Sequence, residues 1–139
     1  MADPYDDLQQ SYGRCLRDRH FIDRFYEVLM ASHPGIPPLF AHTDMFRQRL
    51  ALRRGISIAI LHAAGSALAA RSVEKMADVH GRGGRAPVPP HFHACWLESL
   101  IDVIAETDPE ADTMLLVRWR QAMGAVIDAF ARRYDVAKA

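Results

Sequence analysis

The sequence has little of what disulfide-rich, membrane-spanning or nucleic-acid-binding proteins need. Its two cysteines, Cys15 and Cys95, are isolated and form no CxxC pair, so no disulfide framework is indicated. Lysine plus arginine and aspartate plus glutamate number 17 each, which leaves no excess charge for nucleic acid or an anionic membrane. The longest apolar runs are too short and too interrupted to cross a bilayer. We therefore expect no nucleic-acid partner and no membrane association.

The N-terminus also lacks the features of a secretory signal. The segment M-A-D-P-Y-D-D is acidic where a signal peptide would be basic. Two isolated cysteines suit a reducing compartment, so we expect a cytoplasmic protein. The length of 139 residues fits one domain with a sizeable core, and we expect residues 1–139 to form a single domain.

Apolar residues recur at helical spacing along most of the chain, and no segment is a convincing strand. Prolines and glycine after His33 stop one helix, and Asp108-Pro109-Glu110 combines a cap, a first-position proline and a first-turn acid, which predicts the start of another. The predicted helices run from Tyr5 to Arg19, His20 to His33, Thr43 or Asp44 to about Gly65, Ser72 to His80, Pro89 or Pro90 onward, and Asp108 to Arg132-Arg133. Six or seven helices with short connections predict an all-α domain whose helices cross around a pocket.

The stretch from Ser72 to Trp96 presents a histidine at the end of a short helix. That helix ends on His80, a Gly/Arg/Pro loop follows, and the next helix opens at Pro89-Pro90 with aromatic residues behind it. A chain arranged in this way can hold one imidazole beneath a flat ligand and then turn away. We interpret His80 as the candidate axial ligand of a haem iron.

Several segments resemble those of bacterial globins, including the globin domain of flavohaemoglobins, and they occur in the same order. The segment R-F-Y-E-V-L-M-A-S-H-P-G-I-P-P-L-F resembles the second helix and corner of these proteins, and Q-R-L-A-L resembles their distal helix. The segment V-E-K-M-A-D-V-H, followed by a glycine-containing loop and P-x-H-F, resembles the proximal helix and the start of the next. The resemblance implies a globin fold, a 3-over-3 helical sandwich around a haem pocket.

The resemblance also implies a role for each matching residue. His80 matches the proximal histidine, which would bind haem b through one ring nitrogen and donate from the other to a backbone carbonyl. Tyr26 and Gln48 match the distal hydrogen-bond donors. The remaining implied haem contacts are apolar or aromatic, namely Phe25, Phe40, Leu52, Ile56, Met76, Phe92 and Trp96. One alternative stays open, because a distal helix shifted by one turn would put Leu52 over the iron, an arrangement similar to that of some sensor-type globins.

The other histidines are expected at the surface or in capping positions: His20, His33, His42, His62, His91 and His93. His42, Arg82 and Arg85 are weak candidates for contacts with haem propionates.

Two departures from the flavohaemoglobin pattern concern the proximal side. Phe92 stands where those proteins carry a tyrosine, and Tyr134 or its neighbours stand where they carry a glutamate. The resemblance therefore implies a more neutral proximal histidine and a simple binding protein.

The implied function is reversible binding of O2, with CO and NO as further diatomic ligands. Hydrogen bonds from two distal donors to bound O2 predict its slow release. Two alternatives remain, an NO dioxygenase served by a separate reductase and a haem-based sensor or haem-free signalling domain acting through a partner. Whether the protein forms a homodimer is left open by the sequence.

Overall fold

The computed structural model describes residues 5–80 and 88–138, with side chains up to Tyr134, and all regular secondary structure in these residues is helical. The α-helices are α1 (Asp6–Leu16), α2 (Phe21–Ser32), α3 (Met45–Ala63), α4 (Ala67–His80), α5 (His93–Thr107) and α6 (Thr113–Lys138). Short 3-10 helices cover Pro37–Phe40 and Pro90–Phe92. The all-α prediction is confirmed. Within the described residues, no helix is both long enough and apolar enough to span a bilayer.

The helices pack in two crossed layers. In one layer α3 contacts both α1 and α4, and in the other α5 contacts both α2 and α6. Helix α6 crosses α3 and α4, which joins the layers. The largest fully buried side chains include Leu8, Phe21, Phe25, Ile56, Ile60, Leu100, Ile104, Trp119 and Met123. These side chains come from α1, α2, α3, α5 and α6, so both layers contribute to one core.

Helix α3 begins where the sequence predicts. The carboxylate of Asp44 accepts hydrogen bonds from the backbone N–H groups of Phe46 at 3.1 Å and Arg47 at 3.3 Å. These two donors have no partner within the helix, so an aspartate at this position stabilises its first turn.

Helix α4 begins earlier than the sequence predicts. We expected Ser72 to cap it, but the helix starts at Ala67, and the Ser66 hydroxyl accepts a hydrogen bond from the N–H of Ala69 at 3.2 Å. The segment taken as a connector is rich in alanine, which has the highest helix propensity. Three residues, Ala64, Gly65 and Ser66, separate α3 from α4. Gly65 has a φ of 91°, a left-handed backbone conformation that glycine tolerates.

Helix α6 begins later than the sequence predicts. It starts at Thr113, and the carboxylate of Asp112 accepts the N–H of Leu115 at 2.8 Å. The predicted cap, Asp108, instead lies at the C-terminal end of α5. The local pattern at Asp108-Pro109-Glu110 was therefore wrong about the helix start, because Asp108 is used in a contact between distant parts of the chain.

That contact is a buried network around the Asp108 carboxylate. It accepts hydrogen bonds from the Ser11 hydroxyl at 2.6 Å and from the Arg14 guanidinium at 2.6 and 3.0 Å. The Ser11 hydroxyl in turn accepts a hydrogen bond from the Trp119 indole N–H at 3.0 Å. The network joins α1 to the end of α5 and to the middle of α6. Burial raises the pKa of Asp108, but hydrogen bonds from Arg14, Ser11 and the Glu110 backbone lower it more, so the net pKa lies below its ordinary value.

We expect Asp108→Asn to destabilise the protein by about 2–3 kcal/mol at neutral pH, because the partly buried Arg14 is left to pair with the exposed Glu110 carboxylate, 3.5 Å away. Since the folded-state pKa of Asp108 lies below 3.8, its stabilising contribution is present above that pH. It is lost as the pH falls through the folded-state pKa, so the difference between variant and parent should shrink in acid. Urea denaturation at pH 7 and at acidic pH measures both effects.

The ion pair of Asp7 with Arg118 provides the control. It is more exposed than the pair of Asp108 with Arg14, so Asp7→Asn should cost less than about 1 kcal/mol. An equal loss of stability in the two variants would contradict a special role for the Asp108 network.

Candidate functional site

Four of the predicted pocket residues form a continuous chain of aromatic rings. Trp96 of α5 meets Phe25 of α2 edge to face, with ring centroids 6.0 Å apart. Phe25 meets Tyr26 at 5.1 Å, and Tyr26 meets Phe40 of the first 3-10 helix at 6.0 Å. Phe25 and Tyr26 are buried, while Phe40 and Trp96 are half-buried. Three separate elements thus bring these four side chains together.

The hydroxyl of Tyr26 is buried and only loosely engaged. It donates to the backbone carbonyl of Gln48 at 3.4 Å, which is long for a hydroxyl donor. The hydroxyl of Tyr12, another buried tyrosine, donates to the Arg53 carbonyl at 2.8 Å. Burial raises the pKa of Tyr26 to about 12, so its hydroxyl keeps its proton at neutral pH. Tyr26 therefore offers a hydrogen-bond donor whose existing bond, to the Gln48 carbonyl, is weak.

Gln48, Leu52 and Ile56 lie one turn apart along the same stripe of α3. Gln48 is half-buried, whereas Leu52 and Ile56 are buried. The polar residue therefore stands at the edge of this stripe, and the apolar residues continue it into the core. Gln48 and Leu52 lie on the same face of α3, and the Tyr26 hydroxyl contacts the Gln48 backbone.

His80 is the last described residue of α4. Its half-buried ring packs on the ring of Phe130 in α6, with centroids 5.6 Å apart and an angle of 34° between the planes. Its backbone carbonyl accepts a hydrogen bond from the N–H of Val88 at 2.9 Å, so the chain returns to the end of α4. Arg82 and Arg85 lie outside the described residues.

Met76 stands one turn before His80 on α4. It is half-buried, and its sulfur would lie 4.0 Å from a Cβ atom placed on Gly55 of α3. That distance is an ordinary van der Waals contact, so the thioether lies beside α3 at Gly55. Met76 thus stands where these two neighbouring helices meet.

Phe92 is buried, but its ring faces the corner that follows α2. It lies 5.2 Å from the ring of His33 and 4.1 Å from that of His91. A Cβ atom on Gly35 would come within 2.8 Å of its Cζ, so the corner glycine makes room for the ring. Phe92 therefore packs against the end of α2.

His93 is buried, which corrects the expectation that it lies at the surface or in a cap. It is only 9% exposed, and its ring centroid lies 6.1 Å from that of Phe130. Among the described residues, its Nδ1 atom has no hydrogen-bond partner. Its pKa is lowered by burial and by the charges of His80 and His91, which favours the neutral imidazole.

The sequence contained a signal for the burial of His93 that we did not use. His93 lies seven residues before Leu100 and eleven before Ile104, a spacing that puts all three on one face of a helix. Both leucine and isoleucine are fully buried. The remaining histidines differ: His20, His33, His42 and His91 are exposed, and His62 is half-buried.

Comparison with family models gives no match, and comparison with curated proteins gives none. Among solved structures, the chain is similar to protein PA3967 from Pseudomonas aeruginosa PAO1, described as structurally highly homologous to a human haemoglobin. The TM-score is 0.88 and the sequence identity 33%, over 94% of this chain and 97% of that chain. The chain belongs to the bacterial single-domain globins. The 3-over-3 sandwich predicted from the resemblance is confirmed, with α1, α3 and α4 in one layer of the globin.

Proposed function

We propose that this globin, as a single domain over residues 1–139, binds haem b through His80 and reversibly binds O2 at the haem iron. CO and NO would be further ligands. The observation that best supports O2 binding is the Tyr26 hydroxyl, which is buried among aromatic rings and held only by a long hydrogen bond. A proton donor in such surroundings suits a small ligand that accumulates partial negative charge.

The residues present fit a haem group. The macrocycle is flat and largely apolar, and the aromatic edges of Phe25, Phe40 and Trp96 offer the surface that such a group buries against. Met76 would add a flexible thioether contact to the macrocycle, and Leu52 would add a branched apolar one. His80 would supply the axial ligand from the end of α4. When bound, haem supplies an iron atom with a free coordination position for a diatomic gas.

The distal residues of this chain would then determine how long O2 stays. Tyr26 can turn its hydroxyl from the Gln48 carbonyl to the gas, because it gives up only a weak contact. The Gln48 amide could donate from the edge of the same stripe. Leu52 and Ile56, both buried, exclude water from the ligand. CO is less polar when bound, so it should gain less from these donors.

An absorption spectrum of the purified protein, supplied with haem, tests the proposal. We expect a ferrous form with one histidine ligand, a CO form, and an O2 form that persists without rapid oxidation. Colourless protein, or a ferrous form with two histidine ligands, would contradict the proposal. Adding NO and a surrogate reductase extends the test, because rapid nitrate formation would favour NO dioxygenation over simple O2 binding.

A further inference from the structure

Two imidazoles share one aromatic partner on the α6 side of the candidate pocket. The rings of His80 and His93 pack on Phe130, with centroids 5.6 and 6.1 Å from it. The His80 ring is tilted by 34° to the Phe130 ring, whereas His93 meets it edge to face at 74°. The end of α4 and the start of α5 therefore bring these two histidines to the same part of α6.

The Nδ1 atom of His93 is buried without a hydrogen-bond partner in the part of the chain that the structure describes. Buried polar atoms in folded proteins nearly always have a partner, so an orphan of this kind needs an explanation. His80 and His91 are the histidines whose charges act on His93. His91 is exposed and packs on Phe92, whereas His80 shares Phe130 with His93.

We propose that His93 is a positioning residue for His80. In the haem-bound protein, its Nδ1 would accept a hydrogen bond, directly or through one water molecule, from the His80 ring N–H that does not bind iron. The inference rests on the proposed function. It gives the buried Nδ1 a partner and fixes the rotation of the His80 ring.

This role alters the expectation drawn from Phe92. The phenylalanine in place of a tyrosine implied a more neutral proximal histidine, and the Phe92 ring packs on His33 and His91 at the corner after α2. The next residue, His93, turns a polar ring toward Phe130 instead. An acceptor on the second nitrogen of an axial histidine makes that ligand more basic and strengthens its bond to iron.

The test is the iron–histidine stretching frequency in the ferrous haem protein, measured by resonance Raman spectroscopy. His93→Leu should lower the frequency, because the acceptor is lost, and His93→Asn should restore most of it. His91→Leu is the matched control, since His91 is exposed on the adjoining turn, and it should leave the frequency unchanged. If leucine prevents folding, His93→Met provides a more adaptable apolar replacement. An unchanged frequency in the apolar variant would overturn the proposal.

Thermal unfolding distinguishes this role from simple core packing. In the haem-free protein, His93→Leu removes an unpartnered polar atom, so the Tm should stay the same or rise. In the loaded protein, the same change should release haem to an acceptor protein several times faster. An equal fall of Tm in both states would overturn the role of His93. A wild-type protein that takes up no haem would overturn both the proposed function and this inference. If the wild-type protein binds haem but His93→Leu leaves the iron–histidine stretching frequency unchanged, only the inference is overturned.

Discussion

His80→Ala is expected to give a folded protein that no longer retains haem. The imidazole would be the only bond from the protein to the iron, and loss of even a partner of a metal ligand typically costs 10- to 100-fold in affinity. We therefore expect haem affinity to fall by more than about a hundredfold. The fold should survive, because the Val88 N–H binds the backbone carbonyl of His80 and not its ring. Far-UV circular dichroism and haem transfer to an acceptor protein measure the two effects.

Two controls make this result specific. Free imidazole added to the His80→Ala protein should enter the space left by the ring and restore much of the haem spectrum. His42→Ala, which removes an exposed histidine, should leave haem binding unchanged. A native five-coordinate spectrum in the His80→Ala protein would refute the assignment of His80 as the ligand.

Tyr26→Phe should accelerate O2 dissociation by about 5- to 150-fold, which corresponds to about 1–3 kcal/mol for a hydrogen bond to a partly charged acceptor. The change removes only a hydroxyl, and the remaining ring can keep its contacts with Phe25 and Phe40. CO dissociation should change much less, because bound CO carries less charge. Stopped-flow displacement of O2 by CO measures the rates.

Tyr12→Phe is the matched control for this variant. Tyr12 is also buried, its pKa is also raised to about 12 by burial, and its hydroxyl also donates to a backbone carbonyl of α3. Its ring, however, packs against Phe21 and Trp119 in the core. Tyr12→Phe should cost about 1 kcal/mol of stability and leave O2 dissociation unaltered. Equal O2 dissociation rates in the two variants would contradict a hydrogen bond from Tyr26 to bound O2.

The helices that were predicted well are those whose signals are local. Asp44 caps α3 because its carboxylate reaches N–H groups two and three residues away. Asp108 carries an equally clear local signal but is bound by Ser11 and Arg14, nearly a hundred residues earlier in the chain. No local pattern contains that contact, so the start of α6 could not be predicted from it.

The same division applies to the candidate site. Tyr26, Phe40 and His80 follow from the resemblance, because each stands within a matching segment. His93 does not, because its importance depends on which way the first turn of α5 faces and on its contact with Phe130. Its spacing to Leu100 and Ile104 indicates burial, but no local pattern indicates its contact with Phe130.

The hydrogen bond between Val88 and the His80 carbonyl has an evolutionary consequence. It holds the backbone of Val88 next to that of His80, so both ends of residues 81–87 are fixed at one point. Loop-closure entropy grows slowly with length, at about 0.6 kcal/mol for each doubling. Insertions and deletions in this segment could therefore accumulate between relatives while the end of α4 keeps its position.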